Sequence, residues 1–242
     1  MKRTTTIALF YSGIAAVCVG IIALSMWLRQ GLTAPYQTSL VINTGKETAP
    51  NWFPIAKDLA GINQDNKPVK LSDLRGKVWL VAEFFAVCPK CAARNGTELR
   101  MIYDEFKANP DFHITCVSID PENDNVEKLG DYGKALSADS KNWWFLNAGD
   151  AKSTHEYMEH TLKFMGIRSR VDPLDIEANG KYLHDMAFTL VDRDFNVIGK
   201  WNLVGSKSEE GQNNIPGLYQ KDKEALYARI RAELAKTKSP GI

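Results

Sequence analysis

The chain is poor in cysteine, in histidine and in net charge. It has 4 cysteines and 4 histidines in 242 residues, and its 30 basic residues nearly balance its 29 acidic ones, for a formal charge of +1. Without a basic excess there is no nucleic-acid footprint, because phosphate neutralisation needs a concentrated positive patch. Beyond Cys18, which sits in an apolar run, only Cys88, Cys91 and Cys116 remain. Three cysteines cannot form two structural disulfides, so a disulfide scaffold is excluded. No second Cys-x-x-Cys accompanies Cys88–Cys91, which removes a four-cysteine structural zinc site. Internal repeats and low-complexity tracts are also missing, and a hydrophobic content of 44% suits one ordinary globular core.

What is present starts at the N-terminus. Residues 7–28, IALFYSGIAAVCVGIIALSMWL, carry no charge. About 20 apolar residues cross a hydrocarbon core as a helix. Lys2 and Arg3 precede the run, Arg29 follows it, and the next basic residue is Lys46. The positive-inside bias predicts a cytoplasmic N-terminus, residues 1–6, a transmembrane anchor, residues 7–28, and everything later outside. A cleaved signal peptide has an apolar region of about 7–15 residues and a small-residue cleavage site. This run is longer and no A-x-A closes it, so an uncleaved anchor is expected. Val17 stands where a lipoprotein site has a small residue, which leaves Cys18 as a membrane-buried hydrophobe. Residues 29–50 are rich in turn formers and read as a tether. Residues 51–242 form the exported domain.

That domain alternates. KVWLVAEFF is a strand by its aromatic and β-branched content. RNGTELRMIYDEFKA is helical, with Leu99, Ile102, Tyr103 and Phe106 on one face. FHITCVSI is a second strand and makes Cys116 a core thiol. PENDNVEKLGDYGKAL reads as a helix entered at Asp120–Pro121, WWFLNA as a short strand and AKSTHEYMEHTLKFMG as a helix. AFTLVDRDFNVIGKW is a hairpin turning near Asp192–Asn196, and KDKEALYARIRAELAK is a closing helix. The pattern predicts an α/β fold, a central sheet with helices on both faces.

The chemistry concentrates in VCPKC. Cys88 falls at a strand end and a helix start, where partial positive charge favours thiolate. Pro89 has no N–H to lose in a first helical turn. The spacing brings two sulfurs together for disulfide exchange, for one metal ion, or as a passive staple. Two residues are candidates to complete the site. Glu83, five residues earlier in an apolar strand, is either an outward-facing carboxylate or a buried proton relay with a raised pKa. His184, in KYLHDMAFTLVDRD, begins a strand after a loop and is a candidate ligand. His113, His155 and His160 read as structural or solvent-exposed. The glycosylation pattern at Asn95 falls inside the proposed active-site helix.

GKVWLVAEFFAVCPKC, ITCVSIDPENDNVEKLGDY, NWWFL and LHDMAFTLVDRDFNVIG follow one another as in the Sco/SenC family, which this chain resembles over roughly residues 55–235. These are membrane-anchored proteins of cytochrome c oxidase assembly. The resemblance implies a thioredoxin-like fold and a site in which Cys88, Cys91 and His184 bind Cu(I). It implies a periplasmic or other extracytoplasmic domain on the inner membrane. The partner would be the copper-binding subunit of a respiratory oxidase or another exported thiol protein. Asp120, Pro121 and Asp124 match the family's acidic turn, with helix capping as its expected role. The chain departs from the family in having two residues between its cysteines instead of three, and Ala92 where a proline follows. That spacing is similar to thiol–disulfide oxidoreductases of the TlpA/ResA type, the alternative reading. There Cys88 is the attacking nucleophile, Cys91 the resolving thiol and Glu83 the relay. Those reductases carry a cis-proline loop opposite the cysteines, and LHDMAFTLVD has no proline.

Overall fold

The computed structural model describes residues 53–86 and 92–236, together with residues 13, 14, 16–21, 23 and 24. The chain divides into two compact units, residues 1–40 and 41–242. In the first unit the described residues are helical and exposed. Among the described residues no helix is long and apolar enough to cross a membrane. Most of the expected 7–28 span, all of residues 1–6 and 29–50, and both Cys88 and Cys91 lie outside the described residues.

The second unit is built on one mixed sheet. Its strands are β1 (Phe53–Pro54), β2 (Ala60–Asn63), β3 (Pro68–Lys70), β4 (Val78–Phe84), β5 (Phe112–Ser118), β6 (Trp143–Asn147), β9 (Phe188–Val191) and β10 (Asn196–Trp201). A separate pair, β7 (Arg168–Ser169) and β8 (Tyr182–Leu183), forms a second small sheet. The large sheet runs β1-β10-β9-β4-β5-β6-β2-β3. β4, β5 and β6 are parallel, while β9 lies antiparallel to β4. The helices are α1 (Thr97–Phe106), α2 (Val126–Ala135), α3 (Ala151–His160), α4 (Pro173–Asn179), α5 (Leu203–Lys207), α6 (Glu209–Asn214) and α7 (Leu218–Ala235).

Alternation along β4 sets the two cores, because successive side chains in a strand point to opposite faces. Val78, Leu80, Ala82 and Phe84 pack on one face with Leu99 and Ile102 of α1, Leu129 of α2 and Leu226 and Ile230 of α7. Trp79 and Val81 pack on the other with Tyr157 and Met158 of α3. Each fully buried Leu, Ile or Phe contributes about 1.5–3 kcal/mol of transfer free energy. Helices thus cover both faces, and the expected elements are present. β2 and β3 had no sequence signal. They complete the sheet where Gly61 crosses β6 so closely that a Cβ there would lie 2.3 Å from the Asn147 carbonyl oxygen.

One boundary differs from expectation. α2 starts at Val126, capped by Asn125, whose side chain accepts from the Lys128 N–H. Residues 120–124 make a separate turn in which the Asp120 carbonyl accepts from the Asn123 and Asp124 amides. Pro121 permits a helix start, but Asp124 is engaged elsewhere, so capping passes to Asn125.

Candidate thiol and metal site

The topology brings two distant segments together. Because β9 is antiparallel to β4, the residues just before β9 stand beside the C-terminal end of β4. In open α/β sheets, sites form outside the carboxyl ends of the strands. β4 ends at Phe84, Phe85 and Ala86 follow, and residues 92–96 make a wide helical turn into α1. Cys88 and Cys91 occupy the interval between. His184 lies in the link between β8 and β9, four residues short of the strand it was expected to begin.

Glu83 is not an outward-facing carboxylate. It lies in the central strand and is 1% exposed. Its Oε2 accepts from the Asp185 amide at 3.0 Å and lies 3.6 Å from His184 Nδ1. Its Oε1 has no hydrogen-bond partner among the described residues. Burial pushes the carboxyl above its ordinary pKa, outweighing the lowering by His184. His184 is also buried, and its Nδ1 lies 2.8 Å from the Asp185 carbonyl oxygen. A carbonyl can only accept, so Nδ1 carries a proton, and in the neutral ring the lone pair is then on Nε2, the tautomer being assigned from this hydrogen-bond pattern. Phe85 meets the imidazole edge-on at 5.6 Å and Tyr182 at 5.9 Å.

The chain leading into the cysteines is held by a group that sequence reasoning assigned to capping. Both Asp124 oxygens lie 3.1 Å from the Ala86 N–H, and Oδ2 accepts from Ser118 Oγ at 2.6 Å. Burial raises the pKa of this carboxyl too, against the Ser118 and Ala86 hydrogen bonds. Asp120 instead receives the Asn123 amide and lies 3.6 Å from Lys181 Nζ. Beyond the cysteines, Asn95 is buried, and its Nδ2 lies 3.9 Å from Met186 Sδ.

The other histidines and Cys116 stand apart from this arrangement. His113 is buried in β5, against Trp144. His155, in α3, bonds the Ile119 carbonyl oxygen at 2.6 Å, and His160 ends the same helix. Cys116 is buried beneath Trp143, whose Nε1 lies 3.4 Å from its sulfur. Burial pushes that thiol up to about 12. Sequence reasoning missed Asp185, Lys200, Tyr182 and Met186. The dipeptide His184–Asp185 was the available signal for the first, and nothing local pointed to the rest.

Among the described residues no group of three or more histidine, cysteine or acidic side chains is placed to hold a metal ion. The donors fit a soft ion. Two thiolates and one imidazole would suit Cu(I), and His184 turns its Nδ1 to the Asp185 carbonyl oxygen.

The fold is that of a thioredoxin-like domain, with Glu83, His184 and Asp185 gathered at the end of the strand that precedes the cysteine pair in sequence. A family model described as SCO1/SenC matches residues 49–215, and the chain belongs to that family. The SCO1 protein homolog of Bacillus subtilis (strain 168) is 28% identical over 143 residues, which is 59% of this chain and 70% of that protein. The structure of BsSco, a member of the Sco family of cytochrome c oxidase assembly proteins with an identified disulfide switch, is similar in fold. It has a TM-score of 0.58 at 23% identity, over 78% of this chain and 98% of that one. ScoI of Bradyrhizobium japonicum, solved with copper bound, has a TM-score of 0.55 at 17% identity, over 74% and 99%.

Proposed function

We propose that this chain is a membrane-anchored maturation factor for the copper centre of a respiratory oxidase, with its domain in the periplasm or an equivalent space. Its cargo is Cu(I), held by the thiolates of Cys88 and Cys91 and by Nε2 of His184. The observation that carries this reading is the imidazole fixed through Nδ1 at the strand end that leads into the cysteines. Three soft or borderline donors leave Cu(I) open to a further ligand from a recipient, which suits transfer to an oxidase's copper-binding subunit. Copper in ScoI of B. japonicum and the oxidase-assembly role of the Sco family support the same assignment. The anchor is supported by exposed apolar side chains at Ile14, Val17, Val19, Ile21 and Leu24, all in helical conformation within an uncharged run. The test is an anaerobic Cu(I) titration of the reduced full chain in detergent against a competing chelator. One ion should bind, and His184→Ala should weaken it about 100-fold, or about 2.8 kcal/mol. Binding indifferent to His184 would overturn the reading.

Glu83 favours a second reading, thiol–disulfide exchange, either on the same oxidase target or as a TlpA/ResA-type reductase. The Cys88 thiolate attacks a target disulfide, forming a mixed disulfide and releasing one target thiolate. Cys91 then attacks Cys88, closing the Cys88–Cys91 disulfide and releasing the second. The target gains two electrons and two protons, and a buried carboxyl with a raised pKa is suited to passing one of those protons. Glu83→Gln should slow the reduction of a peptide disulfide while leaving Cu(I) affinity in place. An unchanged rate removes Glu83 as relay.

A further inference from the structure

Asp185 follows His184 directly, and every polar group it has is engaged. Its N–H donates to Glu83 Oε2 at 3.0 Å, and its carbonyl oxygen is 2.8 Å from His184 Nδ1. Its Oδ1 accepts from the Ala187 amide at 2.9 Å. Its Oδ2 accepts from the Met165 amide at 3.0 Å and pairs with Lys200 Nζ at 2.5 Å. The residue therefore ties the histidine loop to β4, to the segment after α3, and to β10.

A carboxylate that is 8% exposed, with a second carboxyl hydrogen-bonded to its own backbone, costs much free energy unless a cation faces it. Lys200 is that cation. Its ammonium is itself fixed, donating to the Lys163 carbonyl at 3.1 Å and lying 4.6 Å from the Phe164 ring. Lys200 stands opposite Thr189 in the β10–β9 register, two strands over from β4. The pair thus braces the loop from the side of β9 that faces away from β4.

We infer that Asp185, clamped by Lys200, is the positioning residue that holds His184 in its Nδ1–H tautomer and so presents Nε2 as the donor. The physical reason is that the Asp185 carbonyl selects the protonated nitrogen, and the Asp185 carboxylate decides where that carbonyl sits. Without the Lys200 ammonium the buried carboxylate is uncompensated, the turn at 184–187 relaxes, and the Nε2–H tautomer becomes accessible. In that tautomer the lone pair is on Nδ1, turned toward Glu83 and the Asp185 carbonyl oxygen. Partners that orient metal-binding histidines in this way typically govern affinity by about 10–100-fold. This inference rests on the copper reading for its consequence, but its structural content stands without metal.

The experiment has two arms on the reduced full chain. The first is long-range proton–nitrogen NMR of the four histidine rings, with His184→Ala to assign the signal, at about pH 8, above the ordinary imidazole pKa of about 6.5. Wild type and Lys200→Arg should show a protonated Nδ1 and a basic Nε2 at residue 184. Lys200→Met and Asp185→Asn should show a mixture. The second arm is the Cu(I) competition titration, in which Lys200→Met should lose about 10–100-fold in affinity and Lys200→Arg should regain most of it. Equal thiol reactivity in all variants checks that the cysteine end is intact. If Lys200→Met and Asp185→Asn keep the wild-type tautomer, the inference is overturned, whatever their stability. If wild type binds no Cu(I), the copper reading fails, and the tautomer arm alone decides whether Lys200 and Asp185 position the ring.

Discussion

The two faces of β4 follow different rules. On the first, Val78, Leu80, Ala82 and Phe84 meet an apolar layer that includes Ile114, Phe145, Leu190 and Ile230. On the second, Trp79, Val81 and Glu83 share their layer with His113 and Thr115 of β5 and Thr189 of β9. Trp79 Nε1, Glu83 Oε1, both His113 nitrogens and the hydroxyls of Thr115 and Thr189 have no hydrogen-bond partner among the described residues, whereas the first face has Trp201 Nε1 in that condition. Each such group costs about 1–3 kcal/mol. The first face therefore has the fewer unpaired polar groups, and the second ends at Glu83 and His184.

The largest effect expected from this contrast is on the first face. Phe145 packs against Phe84, Tyr132 and Trp143 with ring centroids 5.3–5.6 Å apart. Phe145→Ala should lose about 3–5 kcal/mol in urea unfolding. A loss below about 2 would mean that this face is not the better packed one. Next comes Asp124→Ala, which strands the Ala86 N–H and the Ser118 hydroxyl and should cost about 2–3 kcal/mol in the same assay.

His113 gives a pH-dependent effect of intermediate size. Burial, and then the charge of Lys77, hold this imidazole well below its ordinary pKa. Below about pH 6.5 the unfolded chain takes up a proton there that the folded one refuses, so stability falls as pH falls. Relative to His113→Phe, wild type should lose about 1.4 kcal/mol per pH unit below that value and show no such slope above it. A parallel pair of pH profiles would show that the ring is solvated. The smallest effect is at Thr189→Val, expected to be neutral or stabilising within about 1 kcal/mol, because it removes an unpaired buried hydroxyl at nearly constant shape. A loss above about 2 would place a bound water on that hydroxyl and make the second face a hydrated one.

Much of the fold was legible because periodicity reports which face of an element is buried. The strands through Leu80, Ile114 and Phe145, the apolar stripe of α1 and the turn near Asp192 all carry strong local signals. β2, β3 and the β7–α4–β8 excursion do not. They are short, and their pairing depends on distant partners such as Asn147 for β2. At the site, Glu83 was visible as a carboxylate in an apolar run, but its burial was not, since a strand pattern does not distinguish a central strand from an edge one. Asp124 was visible as an acidic turn and assigned to the wrong amide. Its true donor, Ala86, lies 38 residues away in sequence.

The sequence by itself determined the α/β class, the family, the cysteine pair between a strand and a helix, and the candidacy of His184, because these depend on local pattern and residue chemistry. Only the tertiary structure decided which nitrogen of His184 is basic, that Glu83 lies under it, and that Lys200 reaches Asp185. Those relations arise where antiparallel β9 sets the histidine loop beside the end of β4. Neighbours across a sheet are chosen by topology and burial, which no single segment encodes.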